Sequence, residues 1–364
     1  MHDNILYYVW LSCLNLIPEK RVEVLNEFGS PKKAFEASAD EIHLSNLCSN
    51  TKNVLLQKNL SVAHTVIEDS NQKDISIIPL GDPRYPKLLS EIIDPPIVLY
   101  VKGIIPDTSF FPPIAMIGTR NPSVYAVKMA KKFSYDIALG NMLVVSGLAR
   151  GIDTLCHRGA LTANKPTIAV LGCGPDVVYP SENSEIQRLI SENGAIISEF
   201  PPGTAPHAMN FPLRNRIISG LSLGVFVIEG TPKSGTMITI RTATEQGRQV
   251  FTIPTNLDNP KGLGNLLLLQ QGTKLVTNVT DIFEEFLLNY PEQIINAMGN
   301  PESKTNLSST QQNILEIIQP STPIHIDEIC RKVGQSAAEI NVNLTMLELE
   351  GLITRLPGKT YIRT

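Results

Sequence analysis

Residues 114–151 read IAMIGTRNPSVYAVKMAKKFSYDIALGNMLVVSGLARG. The segment opens on an unbroken apolar run, Ile114 to Ile117, and passes through the loop Gly118-Thr119-Arg120-Asn121-Pro122-Ser123. Beyond the loop, Ala126, Ala130, Phe133 and Ile137 fall at steps of four, three and four, the stripe of an amphipathic helix, with Lys131, Lys132 and Asp136 on its other faces. A second apolar run, Leu143 to Val145, then enters a second small-residue loop. Strands that are apolar throughout and alternate with helices belong to a parallel sheet covered on both faces. The alternation continues at Thr167 to Leu171, Ala195 to Ile197, Val225 to Ile228 and Val250 to Ile253. Residues 110–288 therefore read as a doubly wound α/β domain whose ligands sit where loops leave the carboxyl ends of the strands.

Working outward, residues 1–75 carry helical spacing (Val22, Leu25, Phe28; Leu55, Leu56, Leu60, Ala63, Ile67) broken by Pro18 and Gly29-Ser30-Pro31. This is a small helical domain of the sterile-alpha-motif or helix-hairpin-helix type. Lys32 and Lys33 beside its Gly29 turn read more simply as solvated charges than as a phosphate contact. Residues 76–109 form an extended, proline-rich connector with the strand-like Ile97 to Val101. Residues 289–306 read as a linker. In 307–364, Ser309 and Gln312 form a capping box ahead of Ile314 and Leu315, a second helix runs from Asp327 to Val333, and a third carries Ala337, Ile340, Leu344 and Leu347 on one stripe. With a closing hairpin from Leu352 to Arg363, this is a winged helix.

Composition narrows the classes. The chain has 364 residues, 42% hydrophobic and 18% charged, which excludes intrinsic disorder. No apolar run approaches the ~20 residues of a membrane helix, and five scattered cysteines without a CxxC pair argue against disulfides and structural zinc. A cytosolic protein without membrane contact is expected. The net charge of −4 is uneven: residues 110–285 hold 15 Lys+Arg against 13 Asp+Glu, whereas residues 1–109 hold 10 against 14. An anion site therefore belongs in the middle domain, as a local pocket.

The strand exits supply it. Gly118-Thr119-Arg120 and Ser146-Gly147-Leu148-Ala149-Arg150-Gly151 let backbone amides approach an anion, and each precedes a helix with its positive end. Phe211-Pro212-Leu213-Arg214-Asn215-Arg216 adds two guanidinium forks and a ring, which suits phosphates and a stacked base. No GxGxxG follows the first strand, and Gly230 to Thr236 has Thr236 where a P-loop needs lysine, so NAD and ATP are not expected. Glu229 and Asp153 lack a grouped nucleophile, and the six histidines lack metal spacing. Asp153 reads equally well as a helix N-cap.

The ordered string Tyr85-Pro86, Asp94-Pro95-Pro96, Gly118-Thr119-Arg120, Ser146 to Asp153, Tyr179-Pro180, Ser198-Glu199, Phe211 to Arg216, Glu229 and Ser234-Gly235-Thr236 strongly resembles the bacterial DNA processing protein A (DprA/Smf) family. The resemblance implies a Rossmann-like domain that binds and protects single-stranded DNA without sequence preference. It also implies loading of the RecA recombinase during natural transformation, a homodimer and no cofactor; no enzymatic turnover is expected, because the sequence offers no metal cluster, P-loop lysine or activated nucleophile. Carried onto this sequence, the DNA-binding residues would be Gly118, Thr119, Arg120, Ser146, Gly147, Arg150, Gly151, Phe211, Arg214, Asn215, Arg216, Ser234, Gly235 and Thr236. The chain departs from the pattern at Ala126, at Pro254-Thr255-Asn256 and at Gln271-Gly272-Thr273. The alternative is a Rossmann-like nucleotide phosphoribohydrolase, whose Pro-Gly-Gly-x-Gly-Thr-x-x-Glu string is incomplete here. A duplex-binding regulator acting through the winged helix is a third reading, and it conflicts with 6 Lys+Arg against 7 Asp+Glu in residues 300–364.

Overall fold

The computed structural model describes residues 2–291, 308–319, 322–349, 352–356 and 358–363, which fall into two compact units, Met1–Gly299 and Asn300–Thr364. The first unit opens with helices α1 (His2–Cys13), α2 (Pro18–Phe28), α3 (Pro31–Glu36), α4 (Ala39–Leu44), α5 (Ser49–Leu55) and α6 (Ser61–Gln72). A nine-stranded sheet follows, made of β1 (Ser76–Pro79), β2 (Val98–Gly103), β3 (Pro113–Gly118), β4 (Leu143–Ser146), β5 (Thr167–Leu171), β6 (Ala195–Ser198), β7 (Gly224–Glu229), β8 (Gln249–Thr252) and β9 (Lys274–Leu275). Its parallel strands are joined by α8 (Val124–Leu139), α9 (Ile152–Thr162), α10 (Ser184–Asn193), α11 (Asn210–Gly220), α12 (Gly235–Glu245) and α13 (Leu263–Gln270), while α7 (Lys87–Ser90) links β1 to β2 and α14 (Thr280–Phe286) follows β9.

The strand order is β1-β2-β6-β5-β4-β3-β7-β8-β9. Every pair from β6 to β9 is parallel, as the apolar runs require. Alternate residues of one run enter opposite cores: Ile114 and Met116 pack with Phe133 and Ile137 of α8, while Ala115 and Ile117 pack with Ile217 of α11 and Ile240 of α12. Chain order runs outward from β3 through β4, β5 and β6 on one side and through β7, β8 and β9 on the other. The reversal lies between β3 and β7, and a crevice opens at that point of a doubly wound sheet.

Residues 76–109 are not a connector outside the domain. They donate β1 and β2, β2 running antiparallel to β6 with Tyr100 opposite Ser198, and β1 antiparallel to β2. The helical front is joined to the same sheet: Val9, Trp10, Val24 and Leu55 share a core with Ile97, Val98 and Tyr100. At the Gly29 turn, Gly29 takes a left-handed φ of 75° as the α2 C-cap, Ser30 caps α3, and Lys32 lies 3.8 Å from Glu36. The turn is accounted for by capping and a solvated ion pair. No helix among the described residues is long and apolar enough to cross a membrane.

The second unit contains α15 (Ser309–Ile317), β10 (Ile324–His325), α16 (Ile326–Val333), α17 (Ala337–Leu349), β11 (Ile353–Leu356) and β12 (Thr360–Arg363), with β12 between β10 and β11. This is the winged helix. The capping box lies one residue earlier than the spacing indicates, on Ser308 and Gln311, because Ser308 holds the extended N-cap backbone. Ile340, Leu344 and Leu347 are core, but Ala337 is exposed in the first turn of α17. Of the expected linker, residues 292–306 lie outside the described residues.

Candidate nucleic-acid interface

The crevice of about 670 Å³ lies between the loops that follow β3, β4, β6 and β7. Gly118, Thr119, Arg120, Phe211, Arg214, Asn215, Ser234, Gly235 and Thr236 line it, as the sequence indicates. Gly147 and Arg150 border a smaller slot of about 60 Å³ that shares Arg120, Tyr179 and Phe211 with it. Local backbone requirements explain the glycines. Gly151 has φ 81°, and a Cβ there would lie 2.4 Å from the carbonyl oxygen of Thr119. Only glycine lets the β3 and β4 loops approach this closely. At Gly147 a Cβ would fall 2.0 Å from Arg214 Nη1, so the guanidinium occupies the space that the missing side chain leaves.

The arginines divide by burial. Arg120 is exposed and stands 5.7 Å from the centre of the half-buried Phe211 ring, on which Tyr179 packs at 5.5 Å. Arg214 is 4% exposed, donates from Nη1 to the carbonyls of Gly147 (2.7 Å) and Val170, and lies 6.0 Å from the Phe211 ring. Burial lowers its pKa to about 10, with the charge of Asp153 opposing the shift, so it stays a cation at neutral pH. Asp153, itself buried, has its pKa raised by burial, with Arg214 pulling it down. It is not the N-cap of α9, a position held by Gly151. Arg214 thus builds the crevice floor and contributes charge there, with Nη1 spent on backbone carbonyls.

Three of the expected contacts, Gly151, Ser146 and Arg216, line neither the crevice nor the slot. Arg216 is 5% exposed and turned to the other side, where Nη2 donates to Glu199 Oε2 (2.6 Å), Nη1 donates to the carbonyl of Asp94 (2.8 Å), and Nε is 3.1 Å from Asp94 Oδ2. Arg21 of α2 stands 3.6 Å from Glu199, completing a buried ion cluster. Burial raises the pKa of Asp94 while Arg216 lowers it. Ser146 is also buried, donating to the Met116 carbonyl at 2.6 Å across the β3–β4 pair. Both residues shape the domain. Arg150 is exposed at the rim and pairs with Glu182.

Glu229, weighed as a general base, is tied down. Its oxygens accept from Ser123 N (2.8 Å), Ser123 Oγ (2.6 Å) and Asn259 Nδ2 (3.1 Å), while its carbonyl accepts from Thr119 N (2.8 Å). The carboxylate therefore positions the loop that carries Arg120. Sequence reasoning missed Tyr179 and Ile238 as lining residues; the ring of Tyr179 was legible only as part of the motif string.

With this geometry in hand, the chain matches the family model described as DNA recombination-mediator protein A over residues 76–287 and the DprA winged helix domain over residues 299–359. It is 33% identical to Protein Smf of Synechocystis sp. over 341 residues, covering 85% of each chain. The crystal structure of DNA processing protein A from Streptococcus pneumoniae superposes with a TM-score of 0.67 at 35% identity, over 77% of this chain and 96% of that one. The Helicobacter pylori DNA processing protein A, described by its single-stranded DNA binding mode, gives a TM-score of 0.54 at 28% identity, over 59% of this chain and 97% of that one.

Proposed function

Because the chain belongs to the DNA processing protein A (DprA/Smf) family, we propose that it binds single-stranded DNA without sequence preference, shields it, and passes it to a RecA recombinase during DNA uptake. The observation that carries the reading is the exposed Arg120 guanidinium above the Phe211 ring at the reversal of strand order. A base can stack on the ring while Arg120 takes the adjoining phosphate, and neither contact reads a base edge. Arg214 adds a fixed positive charge beneath, and Asn215, Thr119, Ser234 and Thr236 offer polar groups to the backbone. The protein acts stoichiometrically, as a cytosolic homodimer without cofactor, since two linked crevices raise the avidity of a non-specific binder.

Anisotropy titration of labelled oligo-dT and mixed-sequence oligomers across a salt series tests this. Arg120→Ala should flatten the dependence of log K on log salt by about 0.7, one phosphate on a single strand. Phe211→Ala should lose about 1–3 kcal/mol of stacking on every sequence. Parental affinity in the double variant would sink the assignment.

The winged helix is proposed to serve a protein partner instead of duplex DNA. The outward residues of α17 include Glu339, Val342, Met346 and Glu348, and no Lys or Arg occurs between Ser336 and Leu349. Arg363, in the hairpin, donates to the Leu315 carbonyl of the same unit at 3.3 Å. A chain ending near Asn306 should keep its oligo-dT affinity within about tenfold, ~1.4 kcal/mol. A greater loss in a folded truncation would place the tail in the DNA site.

A further inference from the structure

A second depression, of about 480 Å³, runs along the exposed flank of α9. Gly151, Thr154, Leu155 and Arg158 line it at spacings of three, one and three, which is one helical face. Lys131 of α8 contributes from the neighbouring helix, and Glu182 and Asn183 add a further wall. Three cations, Lys131, Arg150 and Arg158, meet a single carboxylate, Glu182, and that carboxylate is already engaged by Arg150. Lys131 and Arg158 are exposed, and among the described residues neither side chain has a partner. The groove contains no aromatic ring, so it offers charge without a stacking platform.

The depression continues from the crevice. Arg150 lines both it and the slot that Arg120 and Phe211 border. From Gly151 to Arg158 is seven helical residues, about 10 Å at ~1.5 Å per residue. That is the length of about three stacked nucleotide steps at the ~3.4 Å per strand of B-form DNA, and of fewer in an extended strand. A strand seated on Phe211 and passing Arg150 meets Arg158 and Lys131 next.

We infer that single-stranded DNA leaves the crevice past Arg150 and continues along the α8–α9 groove, where Arg158 and Lys131 take phosphates that the crevice does not reach. The inference rests on the single-strand reading of the crevice. In the groove the strand is held by its backbone alone, with bases turned to solvent. Glu182 is the one repulsive group along the path. Binding strength therefore depends on strand length.

The full chain, a Lys131→Gln/Arg158→Gln double variant and Glu182→Gln are titrated with oligo-dT of about 6 and about 20 nucleotides over a salt series. The double variant should lose roughly tenfold affinity for the long oligomer, with a salt slope shallower by about 1.4, and should bind the short one like the parent. Glu182→Gln should tighten the long complex, a gain that damage to the fold cannot produce. Equal loss on both lengths, or no loss on the long one, would overturn the groove, the second outcome being the one expected if it takes an acidic protein segment. If Arg120→Ala weakens short-oligomer binding while the groove variants change nothing, only the groove fails. If the parent binds neither oligomer, the crevice reading fails and the groove with it.

Discussion

Arg216→Met should lower the unfolding free energy by about 3–5 kcal/mol, the usual effect of removing one member of a buried ion pair. Glu199 is buried, and Arg216 is the cation that donates to it at 2.6 Å; Arg21, at 3.6 Å, is a weaker substitute. Without Arg216 the carboxylate keeps its desolvation penalty and loses its strongest partner, and the Asp94 carbonyl loses a donor. Chemical denaturation measures the change. Adding Glu199→Gln should recover part of the loss, because the stranded charge is then gone. The folded fraction of the single variant should bind oligo-dT with the parental salt slope. A variant within about 1 kcal/mol of the parent, or one whose slope falls by ~0.7, would mean that Arg216 serves phosphate instead.

The second large effect is a loss of stability in mild acid through His157. This residue of α9 is fully buried, its Nδ1 lies 2.8 Å from Thr167 Oγ1, and that hydroxyl donates to the Val144 carbonyl at 2.7 Å. Burial, reinforced by the Arg214 charge, pushes its pKa down to about 3. The folded pKa lies below the unfolded ~6.5, so the contribution is fully present above pH ~6.5 and is lost as pH falls toward 3. At about 1.4 kcal/mol per unit this amounts to roughly 2 kcal/mol by pH 5 and ~4 kcal/mol at the lower limit. His157→Asn should remove this slope between pH 7 and 5 whatever its stability at pH 8, as read by urea denaturation at each pH. An unchanged slope would show that another group takes up the proton.

Much of the fold is legible in the chain because strands buried on both faces must be almost wholly apolar, and 114–117, 143–145 and 168–171 are. The antiparallel edge is not legible, since β2 pairs with β6 across almost a hundred residues and no local pattern encodes that partner. The crevice loops are readable from glycine and arginine after a strand. The fate of the arginines is only half readable. Residues two apart on a helix point about 200° away from each other, so Arg214 and Arg216 on α11 could not both face one crevice. Which one turns inward depends on Glu199 and Asp94, the latter 122 residues away in sequence. Ser146 is the same case in miniature, a polar side chain whose acceptor, the Met116 carbonyl, belongs to the adjacent strand.

The Glu229 carboxylate gives the crevice a property that no residue touching a ligand supplies. By holding Ser123 through both backbone and hydroxyl while its own carbonyl holds Thr119, it clamps the Arg120 loop at both ends to the last turn of a central strand. The seat exists before any strand arrives, so little ordering entropy is lost on capture. On the proposed single-strand reading, capture should then be limited by encounter and slowed by salt, and exchange between successive strands set by how quickly each one leaves.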